Sequence, residues 1–325
     1  MRLPAAQTIW CLLFLLVAPW AVRGAEPKDA EPTDKDFKAQ GEYVGMITTL
    51  DGKKTLGVQV IALGGGKFHA VAHFGGLPGD GWDGTEKKES DGEWKEDAVV
   101  FTGDKHTASL KDGAIDITVA GAPLGQLKRV ERASPTLGAK APTNAVVLFD
   151  GASPSKFIKG RITEDGLLMQ GCSSEQKFQS CTLHIEFRTP FMPMARGQGR
   201  GNSGVYLQGR YEVQMLDSFG LKGEDNECGG LYKISKPKVN MCFPPFAWQT
   251  YDIDFTAAKY DGDKKIKNAM LTVKHNGVLI QENVELPNST TAAPVKESAD
   301  PGPIYLQDHG NPVRYRNVWL VEQSS

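Results

Sequence analysis

The stretch GNSGVYLQGRYEVQMLDSFG, residues 201–220, decides the fold that we predict for most of the chain. It contains two short runs in which apolar and polar side chains alternate, the period of a strand with one face on a core. A three-residue turn at 208–210 places Val205 opposite Val213 and separates the two faces, whereas a two-residue turn would mix apolar and charged groups. We therefore predict a hairpin with a bulged turn and with Gly209 near the left-handed region.

The second face of this hairpin would carry Tyr206, Glu212 and Gln214. An aromatic ring beside a carboxylate and an amide suits a sugar, because the ring packs on C–H groups while the polar groups bind hydroxyls. The same pattern is typical of a polar face in solvent, and Glu212 could instead pair with Arg210 or Arg188. The sequence thus indicates a candidate sugar-binding or catalytic face.

Short β-patterned runs separated by glycine turns fill the rest of the chain, and the dipeptide Asn276-Gly277 marks a second hairpin. No helical stripe extends over ten or more residues. We predict an all-β protein with a concanavalin-like jelly-roll β-sandwich preceded by a smaller antiparallel β domain, either a meander or a barrel. The small domain would span residues 37–132, a linker 133–143, and the sandwich 144–323.

The N-terminus has the order of a secretory signal peptide. Arg2 precedes the apolar run 9–17, and small residues follow it before residue 25. The run is too short to span a bilayer comfortably. We expect cleavage of residues 1–24, a secreted or periplasmic protein and no membrane contact afterwards. Residues 25–36 are charged and predict a flexible lead-in.

The chain has a formal net charge of −2, which gives no reason to expect nucleic acid as a partner. Four cysteines remain after removal of the leader. An exported protein permits disulfides, and proximity in sequence favours Cys172–Cys181 and Cys228–Cys242. Buried free thiols are the alternative.

A series of motifs in the second half resembles the 3-keto-disaccharide hydrolase domain family, formerly a domain of unknown function. The motifs are LFDG (148–151), EDGLL (164–168), TLHIEFR (182–188), GNSGVYL (201–207), YEVQMLD (211–217), GGLY (229–232), LTVKHNGVLI (271–280) and GPIYLQDHGNPVRYRNVWL (302–320). Members of this family resemble concanavalin-like lectins and glucanases in fold. The resemblance does not extend to residues 37–132.

The resemblance implies an enzyme that acts on glycosides oxidised to a ketone at C3 of one sugar. The ketone acidifies the C2 hydrogen, so that a base can remove it, the substituent at C1 can leave, and water can add. The site needs a base, a group that stabilises the enolate and an acid for the leaving oxygen. The substrate would be an oligosaccharide or glycoside, and an upstream sugar 3-oxidoreductase would install the ketone. A non-catalytic, lectin-like carbohydrate-binding module is the alternative.

Three side chains are the catalytic candidates that the sequence and the resemblance suggest together. Glu212 is the first choice for a base, Asp217 ends the strand and could equally hold its turn, and His309 lies in a Gly/Pro/Asn-rich turn. A divalent metal is possible, since these side chains offer oxygen and nitrogen donors.

Six further residues are candidates for substrate binding. Arg316 could bind the C3 oxygen as the enolate, or could form an ion pair across the sheet. The predicted substrate-binding residues are Asn202, Ser203, Tyr206, Gln214, Gln307 and Arg316.

Overall fold

The computed structural model describes residues 32–85, 87–103 and 105–323. The signal peptide predicted at residues 1–24 and most of the predicted lead-in lie outside the described residues. The described chain is almost entirely β, which confirms the predicted class. Within it, no helix is both long enough and apolar enough to cross a membrane.

The first eight strands form a closed antiparallel barrel in which each strand pairs with the next and the eighth pairs with the first. They are β1 (Gly41–Thr49), β2 (Gly52–Gly64), β3 (Lys67–Phe74), β4 (Lys87–Lys95), β5 (Ala98–Thr102), β6 (His106–Lys111), β7 (Ala114–Val119) and β8 (Ala122–Val130). Of the two arrangements that the pattern allowed, the structure thus has the barrel. The polar strand β4 was not predicted, because its sequence KKESDGEWK has no apolar alternation.

A short helix, α1 (Lys35–Ala39), lies where the sequence predicted the end of a flexible lead-in. Asp34 caps it, since its carboxylate accepts a hydrogen bond from the Asp36 amide at 2.8 Å. The buried Asp36 accepts from Trp94 Nε1 at 2.7 Å and from the Gly66 amide at 2.9 Å. The prediction of flexibility was therefore wrong for this part, because these contacts tie the helix to the barrel.

The remaining strands form a β-sandwich of two sheets and one separate pair. They are β9 (Val146–Phe149), β10 (Phe157–Ile158), β11 (Leu168–Met169), β12 (Cys172–Phe178), β13 (Cys181–Arg188), β14 (Ser203–Leu207), β15 (Tyr211–Met215), β16 (Gln249–Thr256), β17 (Lys259–Asp261), β18 (Lys264–Lys267), β19 (Ala269–His275), β20 (Val278–Leu286), β21 (Gly302–Leu306) and β22 (Arg314–Glu322), with a 3-10 helix, η1 (Gly197–Gly199). Sheet 1 has the order β10-β12-β21-β14-β15. Sheet 2 has the order β11-β22-β13-β16-β19-β20, with β9 beside β22, and β17 pairs with β18 alone.

Both predicted hairpins have the expected geometry. In the first, Val205 lies opposite Val213, and Gly209 has a φ of +63° in a three-residue turn. In the second, Asn276 and Gly277 have φ values of +50° and +80°, the conformation of a type I′ turn. The register of the first hairpin sends its apolar side chains into the core between the sheets.

The four cysteines are buried, free thiols. The two disulfides that proximity favoured, Cys172–Cys181 and Cys228–Cys242, are not formed. Cys228 instead lies with its sulfur 3.2 Å from the hydroxyl of Tyr251. The alternative prediction, buried free thiols, is therefore the one that the structure shows.

The segment predicted as a linker, residues 133–143, is fixed across the outer face of sheet 2. The Gly138 amide donates to Glu186 Oε1 at 2.5 Å, and Asn317 Nδ2 donates to the Ala139 carbonyl at 3.0 Å. Thr136 donates to Asp252 at 2.7 Å. The segment therefore covers polar groups of the sheet as well as joining the barrel to the sandwich.

Barrel and sandwich also touch directly. Phe37, from α1, packs edge-on against Phe191 and Phe246 at centroid distances of 5.2 and 5.8 Å. Ile61 and Val71 of the barrel form a small apolar cluster with Phe219, just after β15. The loop that follows the candidate site hairpin is thus held by the barrel.

Candidate active site

The outer face of sheet 1 carries the polar side chains that the sequence placed there. Tyr206 pairs with Glu212 across the hairpin and with Tyr305 on β21, so all three project from the side opposite the core. These three residues, together with Gln214 and Gln307, form what we call the polar face. Part of it is closed to solvent, because Tyr206, Glu212 and Gln214 are 0%, 3% and 1% exposed. A simple solvated face is therefore excluded for these three side chains.

Loops from distant parts of the chain cover this face. Thr290 accepts a hydrogen bond from the Glu212 amide through its hydroxyl at 3.0 Å. The Thr291 carbonyl accepts from the Tyr206 hydroxyl at 3.4 Å. Gln198, in η1, donates to the Asn226 carbonyl at 2.7 Å beside Gln214. These contacts enclose the polar groups without apolar packing.

The carboxylate of Glu212 lies across the backbone of the neighbouring strand. A Cβ atom at Gly204 would come within 2.2 Å of Glu212 Oε1, so only glycine leaves the carboxylate its place. The Tyr206 hydroxyl is the one neighbour that favours the ionised form of this carboxylate. The Gln214 amide, with its nitrogen turned toward Glu212, donates to Oε1 at 3.0 Å. The alternative partner Arg210 instead donates to backbone carbonyls, including that of Lys296 at 2.9 Å.

Burial without a facing cation sets the acidity of Glu212. Loss of solvation raises its pKa to about 7, against the opposing effect of the hydrogen bond from Tyr206. An acid with this pKa is about half ionised at neutral pH, so it can both take up and return a proton. Strong perturbation of this kind is typical of functional acids.

Two half-buried side chains border the buried carboxylate. Tyr305 lies with its ring 5.5 Å from that of Tyr206, and Gln307 Nε2 donates to the Tyr206 hydroxyl at 3.1 Å. Burial and the neighbouring Glu212 raise the pKa of Tyr206, so its hydroxyl keeps its proton at neutral pH. The face therefore presents a hydrogen-bond donor, an amide and a partly exposed ring around one acid.

An amide network extends the face on the side away from Tyr305. Asn202 Nδ2 donates to the Gln198 carbonyl at 2.8 Å, and the Gln198 side chain lies beside that of Gln214. Asn202, Tyr206, Gln214 and Gln307 thus meet around Glu212.

Asp217 does not belong to this group. Its carboxylate accepts from Arg200 Nε at 2.6 Å, and both side chains are almost completely buried. Arg200 also donates to the Ala62 carbonyl in the barrel at 3.2 Å, and the Phe219 amide donates to Asp217 at 3.4 Å. Asp217 therefore holds its turn and the contact with the barrel. A structural role in the turn was the alternative to a catalytic role for this residue.

Two of the predicted substrate-binding residues point elsewhere. The hydroxyl of Ser203 faces the core, where it bonds to the Gln307 carbonyl at 2.7 Å and lies 2.5 Å from the Tyr315 hydroxyl. Arg316 is on β22 in sheet 2, where its Nε donates to Glu186 at 2.7 Å. Arg316 thus forms an ion pair across the sheet, which was the alternative to binding the C3 oxygen of the substrate.

His309 is exposed in the turn after β21, which also touches the site through Asn311, whose side chain accepts from the Asn202 amide at 2.7 Å. The metal set of Glu212, Asp217 and His309 is not assembled, because Asp217 is bound to Arg200. Across residues 32–85, 87–103 and 105–323, no three His, Cys, Asp or Glu side chains are grouped to hold a metal ion. We therefore assign no step to a metal.

The sequence did not indicate Gln198, Asn226, Thr290 or Thr291, although these residues enclose the site. Gln198 lies in η1 and the others lie in loops without a pattern, up to 85 residues from their partners, as for the contact of Thr291 with Tyr206. Only the folded chain brings them together.

The chain is similar to proteins of known structure. A solved structure of a "putative glycosyl hydrolase" from Parabacteroides distasonis is 35% identical and covers 56% of this chain and 85% of that one, with a TM-score of 0.50. A second protein of the same description and organism is 19% identical over 56% of this chain and 95% of that one, with a TM-score of 0.41. No curated protein gives a significant match.

The fold is the β-sandwich of a glycoside hydrolase-like family. The family of 3-keto-alpha-glucoside-1,2-lyase-like domains matches residues 144–321, which is more than half of the chain. The chain belongs to this family, and the resemblance read from its motifs is confirmed.

Proposed function

We propose that this protein is an exported enzyme that cleaves 3-keto-glycosides, with Glu212 as the base that removes the C2 proton. Membership of the family supports the substrate class. The single observation that carries the assignment of the base is the nearly buried carboxylate, 3% exposed, whose pKa is raised to about 7. An acid of this kind matches the task of moving a proton near neutral pH.

The reaction proceeds by elimination and hydration. Glu212 takes the proton from C2, and the C2–H electron pair forms an enolate on the C3 oxygen. The enolate collapses, the C1–O bond breaks, and the leaving oxygen takes a proton. Water then adds to C1 of the enone, C2 regains a proton, and the net result is hydrolysis.

Neighbouring groups supply the other requirements of this series of reaction steps. The Tyr206 hydroxyl keeps its proton beside Glu212, so it can donate a hydrogen bond to an oxyanion that forms there. Gln307 fixes the hydroxyl from the other side at 3.1 Å. The half-exposed ring of Tyr305 offers a surface for the C–H face of a sugar.

The decisive experiment compares a 3-keto-disaccharide such as 3-keto-trehalose with its unoxidised parent. We expect cleavage of the ketone alone, because only the ketone makes the C2 hydrogen acidic. In deuterated water the 3-keto product should carry deuterium at C2, detected by mass spectrometry. Equal cleavage of both substrates, or product without deuterium, would rule out this mechanism.

The same assay separates an enzyme from a lectin-like module. A carbohydrate-binding module would bind the sugar in calorimetry but release no product at any enzyme concentration. The experiment therefore has a distinct outcome for each of the two functions.

Export and an upstream partner are part of the proposal. The leader predicted at residues 1–24 would place the enzyme outside the cytoplasm, where a sugar 3-oxidoreductase would have to supply the ketone. Mass spectrometry of the protein purified from its natural cells should show an N-terminus near residue 25. An N-terminus at Met1 would contradict export by cleavage.

A further inference from the structure

The barrel encloses a cavity of about 250 Å³ that plays no part in the proposed chemistry. Most of its lining is apolar, including Ile47, Val58 and Phe101, and its polar members are Lys88, Glu89, Ser90 and His106. Protein interiors are normally packed without voids of this size, so an apolar cavity that persists is a potential binding site.

Small side chains create the cavity. Ala70 and Ala72 on β3, Ser90 on β4 and Ala108 on β6 all face the barrel interior where neighbouring strands carry larger groups. Farther along β4 the barrel is full, because the ring of Phe101 occupies the space that a Cβ at Gly92 would need, 2.4 Å away. The void is therefore confined to one part of the barrel.

Solvent reaches this part of the barrel without unfolding. Ala72, Phe74, Val119 and Leu124 line the cavity and are only half-buried. A ligand can enter between these half-buried side chains.

We propose that the barrel binds a small, uncharged, apolar molecule of about the size of two fused rings. A cavity of about 150 Å³ lined by aliphatic and aromatic side chains holds benzene, so 250 Å³ suits a bicyclic hydrocarbon or a group of equal volume. The mostly apolar wall favours an apolar ligand, because a polar group that leaves water for such a wall loses most of its hydrogen bonds. This site is separate from the face around Glu212 and does not depend on the proposed reaction.

The test uses the full-length protein with naphthalene and with indole, which has the same shape but adds one N–H donor. We expect saturation-transfer NMR to show naphthalene binding, with an affinity at least about tenfold higher than that of indole, because the polar indole N–H has to leave water for a mostly apolar wall. Equal affinity for the two ligands, or no binding of naphthalene, would overturn the proposal.

Cavity-filling variants locate the binding. Ala70→Leu combined with Ala108→Leu adds volume inside the barrel and should weaken naphthalene binding at least about tenfold without lowering Tm, since the added groups occupy empty space. Ser109→Leu, which adds the same side chain on the outer face of β6, should leave binding unchanged. If the double variant does not fold, Ala108→Leu at the half-buried rim replaces it. Unchanged binding in a folded, filled variant would place the ligand elsewhere and refute the assignment.

Discussion

Sheet 1 and sheet 2 each carry a buried glutamate on the outer face, and the two have opposite acidities. Glu186 is 1% exposed and Glu212 is 3% exposed. Burial favours the neutral form of both. Around Glu186, hydrogen bonds from groups that include His184, Asn317 and Arg316 outweigh burial and lower the pKa to about 2. No cation among the described residues acts on Glu212, and burial raises its pKa to about 7.

The comparison shows that burial alone does not identify a functional acid. A buried carboxylate with a complete set of donors is a structural group whose charge is neutralised. A buried carboxylate that lacks a counter-charge can accept a proton near neutral pH. Its ionisation destabilises the folded state, and folded proteins retain such groups mainly at functional sites. Exchange of Glu for Gln on either sheet measures this difference directly.

The largest effect should follow Glu212→Gln on turnover. We expect kcat on a 3-keto-disaccharide to fall by about 10²–10⁴-fold, because the amide cannot accept the C2 proton. Sugar affinity measured by calorimetry should change little. Glu186→Gln is the matched control on the other sheet, and its folded fraction should keep kcat. A similar loss of kcat in both variants would contradict a special role of Glu212.

A second large effect concerns Asp217, the acid that the sequence grouped with Glu212. Asp217→Asn should lower the free energy of unfolding by about 3–5 kcal/mol, because the buried Arg200 loses its counter-charge. Urea unfolding measures this loss. Destabilisation below about 1 kcal/mol would show that the pair contributes little to the contact with the barrel.

Glu212→Gln should increase stability at alkaline pH. The folded pKa of Glu212 lies above its unfolded value, so ionisation destabilises the native state as pH rises from about 4.5 through 7. The variant should gain up to about 3 kcal/mol over the wild type at pH 8, and the gain should vanish below pH 4.5. Paired urea titrations at pH 4.5 and pH 8 test it, and a gain that does not depend on pH would refute the raised pKa.

Glu186→Gln should show the reverse dependence. The folded pKa of Glu186 is depressed, so its contribution to stability is present above about pH 4.5 and is lost as pH falls toward 2. We expect the free energy of unfolding to fall by about 2–3 kcal/mol at pH 7. This is at or below the lower end of the range of about 3–5 kcal/mol for breaking a buried ion pair, because Arg316 is partly exposed. The difference between variant and wild type should narrow in acid, measured by chemical unfolding from pH 7 to pH 3.

The smallest effect should come from Tyr206→Phe. Removal of the hydrogen bond that favours ionised Glu212 should raise the pKa of this acid by about one unit, since a hydrogen bond to a charged group contributes about 1.5–3 kcal/mol. The rising limb of kcat/KM with pH, near 7 in the wild type, should move upward. A limb that stays in place would mean that another group sets the profile.

The sequence was sufficient for the fold class and for the register of the central hairpin. The positions of Val205, Val213 and Gly209 follow from a period of two and from turn chemistry, both of which are local properties of the chain. The order of motifs over residues 144–321 was likewise sufficient for the family. Local pattern failed for the polar strand β4, whose place in the barrel depends on its neighbours.

The sequence by itself determined the all-β class, the family and the face on which Glu212 lies. Only the tertiary structure decided which acid remains unpaired: Asp217 meets Arg200, Arg316 meets Glu186 on the other sheet, and Glu212 meets no arginine that the sequence offered. The physical reason is the separation in sequence of the groups involved. The direction of a side chain follows from its own strand, whereas its counter-charge and its exclusion from water come from segments far away in the chain.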